Sequence, residues 1–64
     1  MFELEIDFKE DGNVYTVTAY PKDKLDALAK LEEHKKQHEV IHATLMNPRT
    51  KESIVIWNHT DAAA

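Results

Sequence analysis

The chain has 64 residues, no cysteine and a formal net charge of −4. This length allows one small domain, which buries only roughly 60% of the surface that its unfolded chain exposes. The lack of cysteine excludes a disulfide framework and thiolate chemistry. The N-terminus is typical of neither a signal peptide nor a transit peptide, and no apolar run approaches the ~20 residues that span a bilayer. We therefore expect a soluble, cytoplasmic protein.

The net charge resides in the first eleven residues. They hold five acids and one lysine, whereas the remaining seven acids and seven bases of the chain balance. Three of these acids, Glu3, Glu5 and Asp7, alternate with apolar residues. Because alternate residues of a strand point to the same side, the pattern predicts a strand with one apolar and one carboxylate-bearing face. We call Glu3, Glu5 and Asp7 the acidic stripe.

The first twenty residues predict a β-hairpin. Residues 2–8 alternate strictly between apolar and acidic side chains, which is typical of a half-buried strand. Residues 10–13, Glu-Asp-Gly-Asn, accept positive φ angles and indicate a turn. Residues 14–20 are rich in β-branched and aromatic side chains and predict the second strand. Pro21 ends that strand because it has no N–H to donate.

A helix is predicted next. Asp23 is the expected N-cap, and Asp26, three residues later, is favourable at the positive end of the helix. The helix is expected to end near His38, after two lysines that suit its negative end. The predicted apolar side of the helix consists of Leu25, Ala27, Leu28 and Leu31.

Residues 40–46 and 53–57 predict a third and a fourth strand, joined by a turn that contains Pro48. The order β-β-α-β-β predicts an α+β fold, a two-layer sandwich in which one helix covers one face of a four-stranded, mainly antiparallel sheet. We expect one compact domain over residues 1–60. Residues 61–64 are expected to be a flexible tail or a cloning remnant.

Strand alternation assigns residues to the two faces of this sheet. The predicted core, on the helix side, consists of Phe2, Leu4, Ile6, Phe8, Tyr15, Val17, Ala19, Leu25, Leu28, Leu31, Ile41, Ala43, Leu45, Ile54 and Ile56. The open face, away from the helix, is predicted to carry the acidic stripe with Thr16, Thr18, Tyr20, His42, Thr44, Met46, Ser53, Val55 and Trp57. A slip of one residue in the last two strands exchanges these sets, and would bring Val40, Val55 and Trp57 into the core.

The open face is the predicted binding site, because aromatic residues and methionine are enriched at the centres of interfaces. Its apolar anchors are predicted to be Tyr20, Met46, Val55 and Trp57, with the acidic stripe as the charged contact. This indicates a non-enzymatic, regulatory or inhibitory module that binds a protein with a basic surface, or a second copy of the chain. In a simpler interpretation, the stripe only keeps the sheet soluble and discourages edge pairing.

Single-stranded nucleic acid is the alternative partner. Trp57 and Tyr20 on a sheet face are able to stack on bases, and Arg49 and Lys51 lie in the turn, within reach of phosphates. The negative charge of the chain and the carboxylates beside these aromatic residues disfavour a polyanion. Nothing in the sequence indicates a membrane partner.

Other chemistry has little support. His34 and His38 have the i,i+4 spacing that can hold a metal, but a structural zinc site needs four ligands, and only Glu39 or His59 would remain as candidates. The simpler interpretation is that both histidines are favoured near the negative end of the helix. Gly12 is the single glycine, which excludes a glycine-rich phosphate loop. With no nucleophile and base in a pocket, we expect neither an enzyme nor a cofactor.

Overall fold

The computed structural model describes residues 1–58, so that His59 and the predicted tail at residues 61–64 lie outside the described part of the chain. The elements follow in the order β1 (Glu3–Glu10), β2 (Asn13–Ala19), α1 (Lys24–Gln37), β3 (Glu39–Asn47) and β4 (Glu52–Asn58). Within residues 1–58, the four strands form one antiparallel sheet with the spatial order β2-β1-β3-β4, and α1 packs on one face. The predicted α+β fold is confirmed.

The N-terminal hairpin of β1 and β2 is regular. Its pairing runs without a shift from Leu4 opposite Ala19 to Glu10 opposite Asn13. The two loop residues, Asp11 and Gly12, have φ angles of 52° and 81°. Two positive φ angles in a two-residue loop are the signature of a type I′ turn, whose twist matches that of the strands. The predicted hairpin is therefore confirmed.

The helix begins as predicted. The carboxylate of Asp23 accepts a hydrogen bond from the backbone N–H of Asp26 at 2.8 Å. The Asp26 carboxylate accepts from the Lys22 backbone N–H at 3.1 Å and from the Lys30 ammonium at 3.3 Å. The Lys22 N–H, and to a smaller extent Lys30, lower the pKa of the Asp26 carboxyl. Its charged form therefore stabilises the fold above the unfolded pKa, and this contribution is lost as the pH falls through the lowered folded pKa.

The core lies between α1 and the two central strands. Its buried residues are Leu4, Ile6, Ala27, Leu31, Val40, Ala43 and Leu45. Partly buried apolar residues that pack against this cluster are Phe2, Phe8, Val17, Ala19, Ile56 and Trp57. A core this small fits a domain in which one helix covers one side of the sheet.

The predicted core positions Leu25 and Leu28 were wrong. Ala27 and Leu31, one turn apart, are the residues of α1 that are buried, while Leu25 is 78% exposed and Leu28 is also exposed. Because each helical residue advances by about 100°, Leu25 lies about 160° around the helix from Ala27. The helix thus contacts the sheet through a narrow strip.

Two bulges change which residues of the C-terminal hairpin face the helix. β1 pairs with β3 as Asp7 opposite His42 and then Phe8 opposite Val40, which leaves Ile41 as an extra residue. A bulge of this kind inserts one unpaired residue into a strand, so the alternation shifts by one beyond it. Val40 is therefore buried at a helix-side position, and Ile41, a predicted core residue, is only half-buried at the bulge.

The second bulge overturns the predicted place of Trp57. β3 pairs with β4 as Thr44 opposite Val55 and then Ala43 opposite Trp57, which leaves Ile56 as the extra residue. Trp57 thus lies opposite a buried residue on the helix side and not on the open face. Its indole N–H donates to the Val40 carbonyl at 3.1 Å, and the Lys35 ammonium lies 3.8 Å from its ring centroid.

Strand order explains two further differences from the predicted core. Tyr15 and Ile54 are on the helix side of the sheet, as predicted, but they are 47% and 48% exposed. Tyr15 belongs to β2 and Ile54 to β4, which are the two edge strands of the described sheet. The narrow strip of α1 covers the central strands and leaves these edge positions open.

Candidate protein-binding face

The open face is organised as rows that cross the sheet. One row contains Thr16, Asp7, His42 and Asn58, in the order of the strands from β2 to β4. The next contains Thr18, Glu5, Thr44 and Val55, and a third contains Glu3, Met46 and Ser53. The acidic stripe therefore runs along β1, a central strand between β2 and β3. Protection against edge pairing does not account for the stripe, because carboxylates serve that purpose on edge strands.

The three carboxylates of the acidic stripe differ in their contacts. Asp7 accepts a hydrogen bond from the Thr16 hydroxyl at 2.7 Å, and its second oxygen lies 3.9 Å from Nδ1 of His42. Glu3 and Glu5 form no ion pair with any residue of the described chain. Glu5 is exposed between Thr18 and Thr44, and Glu3 is half-buried opposite Met46. The stripe thus presents two carboxylates that are available to cations from outside.

Apolar anchors flank the stripe on both sides. Val55, which is 56% exposed, and the half-buried Met46 lie on β4 and β3. Tyr20 is 61% exposed and directly follows β2, at the opposite edge of the sheet. Since β2 and β4 are three strand spacings apart, about 14 Å separates the anchors at the two edges. The structure brings these three predicted anchors to the open side and places Trp57 on the other.

The end of the open face near Lys9, away from Glu3, has mixed charge. Lys9 pairs with Val14 on one side and with Glu39 on the other, so a cation lies close to an acid there. Lys9 is two residues beyond Asp7, whereas Glu3 and Glu5 lie toward the start of β1. Glu3 and Glu5 therefore lie at the end of the face away from this cation.

His34 and His38 do not assemble a metal site with other described residues. Nδ1 of His34 lies 3.0 Å from the Lys30 carbonyl, and the His38 ring packs on Phe8 with 4.4 Å between centroids. Nδ1 of His38 is 3.6 Å from a carboxylate oxygen of Glu10. Within residues 1–58, no group of three or more His, Asp or Glu side chains is arranged to hold a metal ion. His38 instead packs against the N-terminal hairpin, whereas His34 contacts its own helix.

A shallow groove between α1 and β4 was not predicted. Its lining consists of Phe2, Lys24, Leu45, Asn47, Glu52 and Ile54. It exists because the helix contacts the sheet through a narrow strip, which leaves the helix side of β4 partly open. The sequence carried no signal for it, since its position depends on the order of strands in the sheet.

Comparison of the chain with protein-family models, curated protein sequences and solved structures gives no match. Among the described residues, no helix has the length and apolar character needed to cross a membrane. The geometry of the open face is therefore the basis for a functional proposal.

Proposed function

We propose that the chain is a non-enzymatic protein-binding module whose open face docks on a basic surface of a partner protein. The observation that carries this proposal is the position of Glu3 and Glu5, which lie on a central strand with no ion pair to another described residue. Carboxylates on alternate residues of one strand are held roughly 7 Å apart. A partner with lysines or arginines at a similar spacing would pair with both at once.

The charged and apolar parts of the face have different roles in this proposal. Complementary charges mainly raise the rate of association and select the partner, whereas most affinity comes from desolvated apolar contacts. Met46 and Val55 supply such contacts beside the stripe on one side, and Tyr20 supplies them at the other edge. By covering a basic surface, the module would regulate or inhibit the protein that carries it.

The nucleic-acid alternative has less support than the protein partner. It relied on Trp57 as a stacking residue of the open face, but Trp57 lies on the helix side and its indole N–H is bonded to Val40. Tyr20 remains as an exposed aromatic residue of the open side, next to a face whose charge repels phosphates. We therefore propose a protein partner alone.

The test compares two variants that remove the same amount of charge from different surfaces. Glu3→Gln/Glu5→Gln neutralises the acidic stripe, and Glu32→Gln/Glu33→Gln neutralises two acids of the exposed side of α1. Each variant and the unmodified chain would be immobilised and exposed to a lysate of the source organism, and the bound proteins identified by mass spectrometry. Thermal unfolding by circular dichroism would confirm that all three are folded.

We expect the stripe variant to lose proteins that the helix variant retains. The same proteins should elute from the unmodified chain as the salt concentration rises, because salt screens exposed charges beyond about 10 Å at 0.1 M. Identical sets of bound proteins for the two variants would show that the stripe selects no partner.

A further inference from the structure

The outer edge of β2 lacks three devices by which proteins protect edge strands. These devices are charged side chains, prolines and bulges. The sequence of β2, NVYTVTA, has no charged residue and no proline, and its pairing with β1 has no bulge. β4, the other edge of the described sheet, begins with Glu52 and is interrupted by the bulge at Ile56. Of the two edges, β2 is therefore the one suited to strand addition.

The turn decides which backbone groups of β2 point outward. A β-turn is closed by a hydrogen bond between its first and fourth residues, so Glu10 and Asn13 form a hydrogen-bonded pair. Hydrogen-bonded and non-bonded pairs alternate along an antiparallel ladder. The N–H and C=O groups of Val14, Thr16 and Thr18 therefore point away from β1. The hydrogen bond from the Phe2 N–H to the Pro21 carbonyl, 3.1 Å long, agrees with this alternation.

The outward N–H and C=O groups of one copy are complementary to the same groups of a second copy. In a two-fold, antiparallel arrangement centred on Thr16, Thr16 of one copy lies opposite Thr16 of the other, and Val14 lies opposite Thr18. Each of these pairs exchanges two backbone hydrogen bonds, so every outward group of the three residues is satisfied. On the helix side, Tyr15 lies opposite Val17 of the second copy, and aromatic and β-branched residues form favourable cross-strand pairs.

The charges at the two ends of β2 also match in this arrangement. Asp11 precedes the strand and Lys22 follows it, and both are exposed. Antiparallel pairing brings Asp11 of each copy to the end that carries Lys22 of the other, so that two opposite-charge contacts form by symmetry. Contact through the open faces would instead bring two acidic stripes together. With β2 paired to β2, the stripes stay about 14 Å apart, beyond the Debye length of about 8 Å at physiological salt.

We propose that the chain forms a two-fold dimer in which β2 pairs with β2 of a second copy, and the two sheets join into one of eight strands. This inference is independent of the proposed function, because the dimer uses backbone groups at the edge of β2 and leaves Glu3 and Glu5, which carry that proposal, uncovered.

The first test removes an outward N–H by Thr18→Pro. Proline is tolerated on an edge strand where its N–H position faces solvent, so the pairing with β1 is retained. The dimer would lose two of its hydrogen bonds, and its Kd should rise by about tenfold or more. An interface made by a single pair of strands is small, and small interfaces are weak, so a high concentration is needed. Sedimentation equilibrium up to about 0.5 mM chain should show a dimer for the unmodified protein. A monomer at that concentration, or a dimer that Thr18→Pro leaves unchanged, would overturn the proposal.

The second test keeps the proposal open to refutation if Thr18→Pro does not fold. Asp11→Lys and Lys22→Asp each place like charges together twice in their homodimers, and should each weaken self-association by roughly fivefold or more. Mixed in equal amounts, the two variants restore both opposite-charge contacts and should form a heterodimer. The β2 dimer is supported if each variant alone associates more weakly and the mixture of the two associates as the unmodified chain does. Unchanged association of either variant, or no recovery, contradicts it.

Discussion

The two hairpins of this sheet are similar in size but differ in regularity. β1 and β2 are joined by two residues and keep one register along their whole length. β3 and β4 are joined by the longer loop of residues 48–51, and their pairing shifts by one at Ile56. Strand alternation therefore assigns side chains to faces only as far as the register is unbroken. Beyond a bulge, the same alternation assigns each side chain to the wrong face.

The two hairpins also differ in their proposed roles, which are binding for the regular hairpin and core packing for the irregular one. Both proposed binding surfaces lie mainly on the regular hairpin, which carries the acidic stripe on β1 and the unpaired edge of β2. The bulges instead serve the core, because they turn Val40 and Trp57 toward α1. Bulges re-aim side chains in this way in many sheets. The irregular hairpin thus contributes a large side chain, Trp57, to the packing of the small core.

Substitution of one isoleucine from each hairpin tests how much each hairpin contributes to the core. Ile6 of β1 is completely buried, whereas Ile54 of β4 is 48% exposed, although the sequence predicts both in the core. Ile6→Ala should lower the free energy of unfolding by about 2–5 kcal/mol through lost burial and a residual cavity. Ile54→Ala should lower it by about 1 kcal/mol or less. Urea unfolding followed by Trp57 fluorescence measures both values. Equal losses would mean that Ile54 is covered and that the two hairpins contribute alike to the core.

A smaller effect tests the bulge at Ile56. Trp57→Ser removes a ring that packs on the core and a donor to the Val40 carbonyl, and should lower the free energy of unfolding by about 2 kcal/mol. Val55→Ser, on the open face, should change it by about 0.5 kcal/mol or less. Thermal unfolding by circular dichroism compares the two variants. If Val55→Ser were the more damaging, the register of β4 would be that of an unbulged strand, with Trp57 on the open face.

The sequence predicted the regular hairpin closely and the irregular one in part. The alternation of residues 2–8 and the Asp-Gly turn are local signals, and the structure confirms both. The predicted position of Trp57 was wrong because the bulge depends on tertiary contacts, here the packing of the indole on the helix side of the sheet. No local sequence pattern indicates such a bulge. The exposure of Tyr15 was missed for a different reason. It depends on β2 being an edge strand, and strand order is not contained in any single segment.

The candidate site was likewise predictable only in part. The acidic stripe was visible as a pattern in the sequence, because charge and alternation are both local properties. That the stripe lies on a central strand, and that Glu3 and Glu5 have no ion pair to another described residue, follows only from the assembled sheet. These two facts are the basis of the proposed binding face.

Substitutions in the turns of the two hairpins should have smaller effects on stability. Gly12 has a φ angle of 81° and open space where a Cβ would lie, so Gly12→Ala should cost about 1 kcal/mol through backbone strain alone. Lys51, in the loop of the other hairpin, has a φ angle of 64° with an ordinary side chain. Lys51→Gly should therefore stabilise the fold by about 0.5 kcal/mol, since the relief of strain exceeds the entropy that glycine adds to the unfolded chain.

Urea midpoints of the two turn variants decide this last comparison. Opposite shifts would show that the N-terminal turn already has the residue that its backbone requires, while the C-terminal loop bears strain at Lys51. A destabilising Lys51→Gly would instead mean that the lysine side chain contributes a stabilising contact in the loop. If Gly12→Ala had no effect, residue 12 would not have a positive φ, and the type I′ turn that fixes the outward groups of β2 would be wrong. The turn of the regular hairpin is therefore also the point on which the proposed register of the dimer depends.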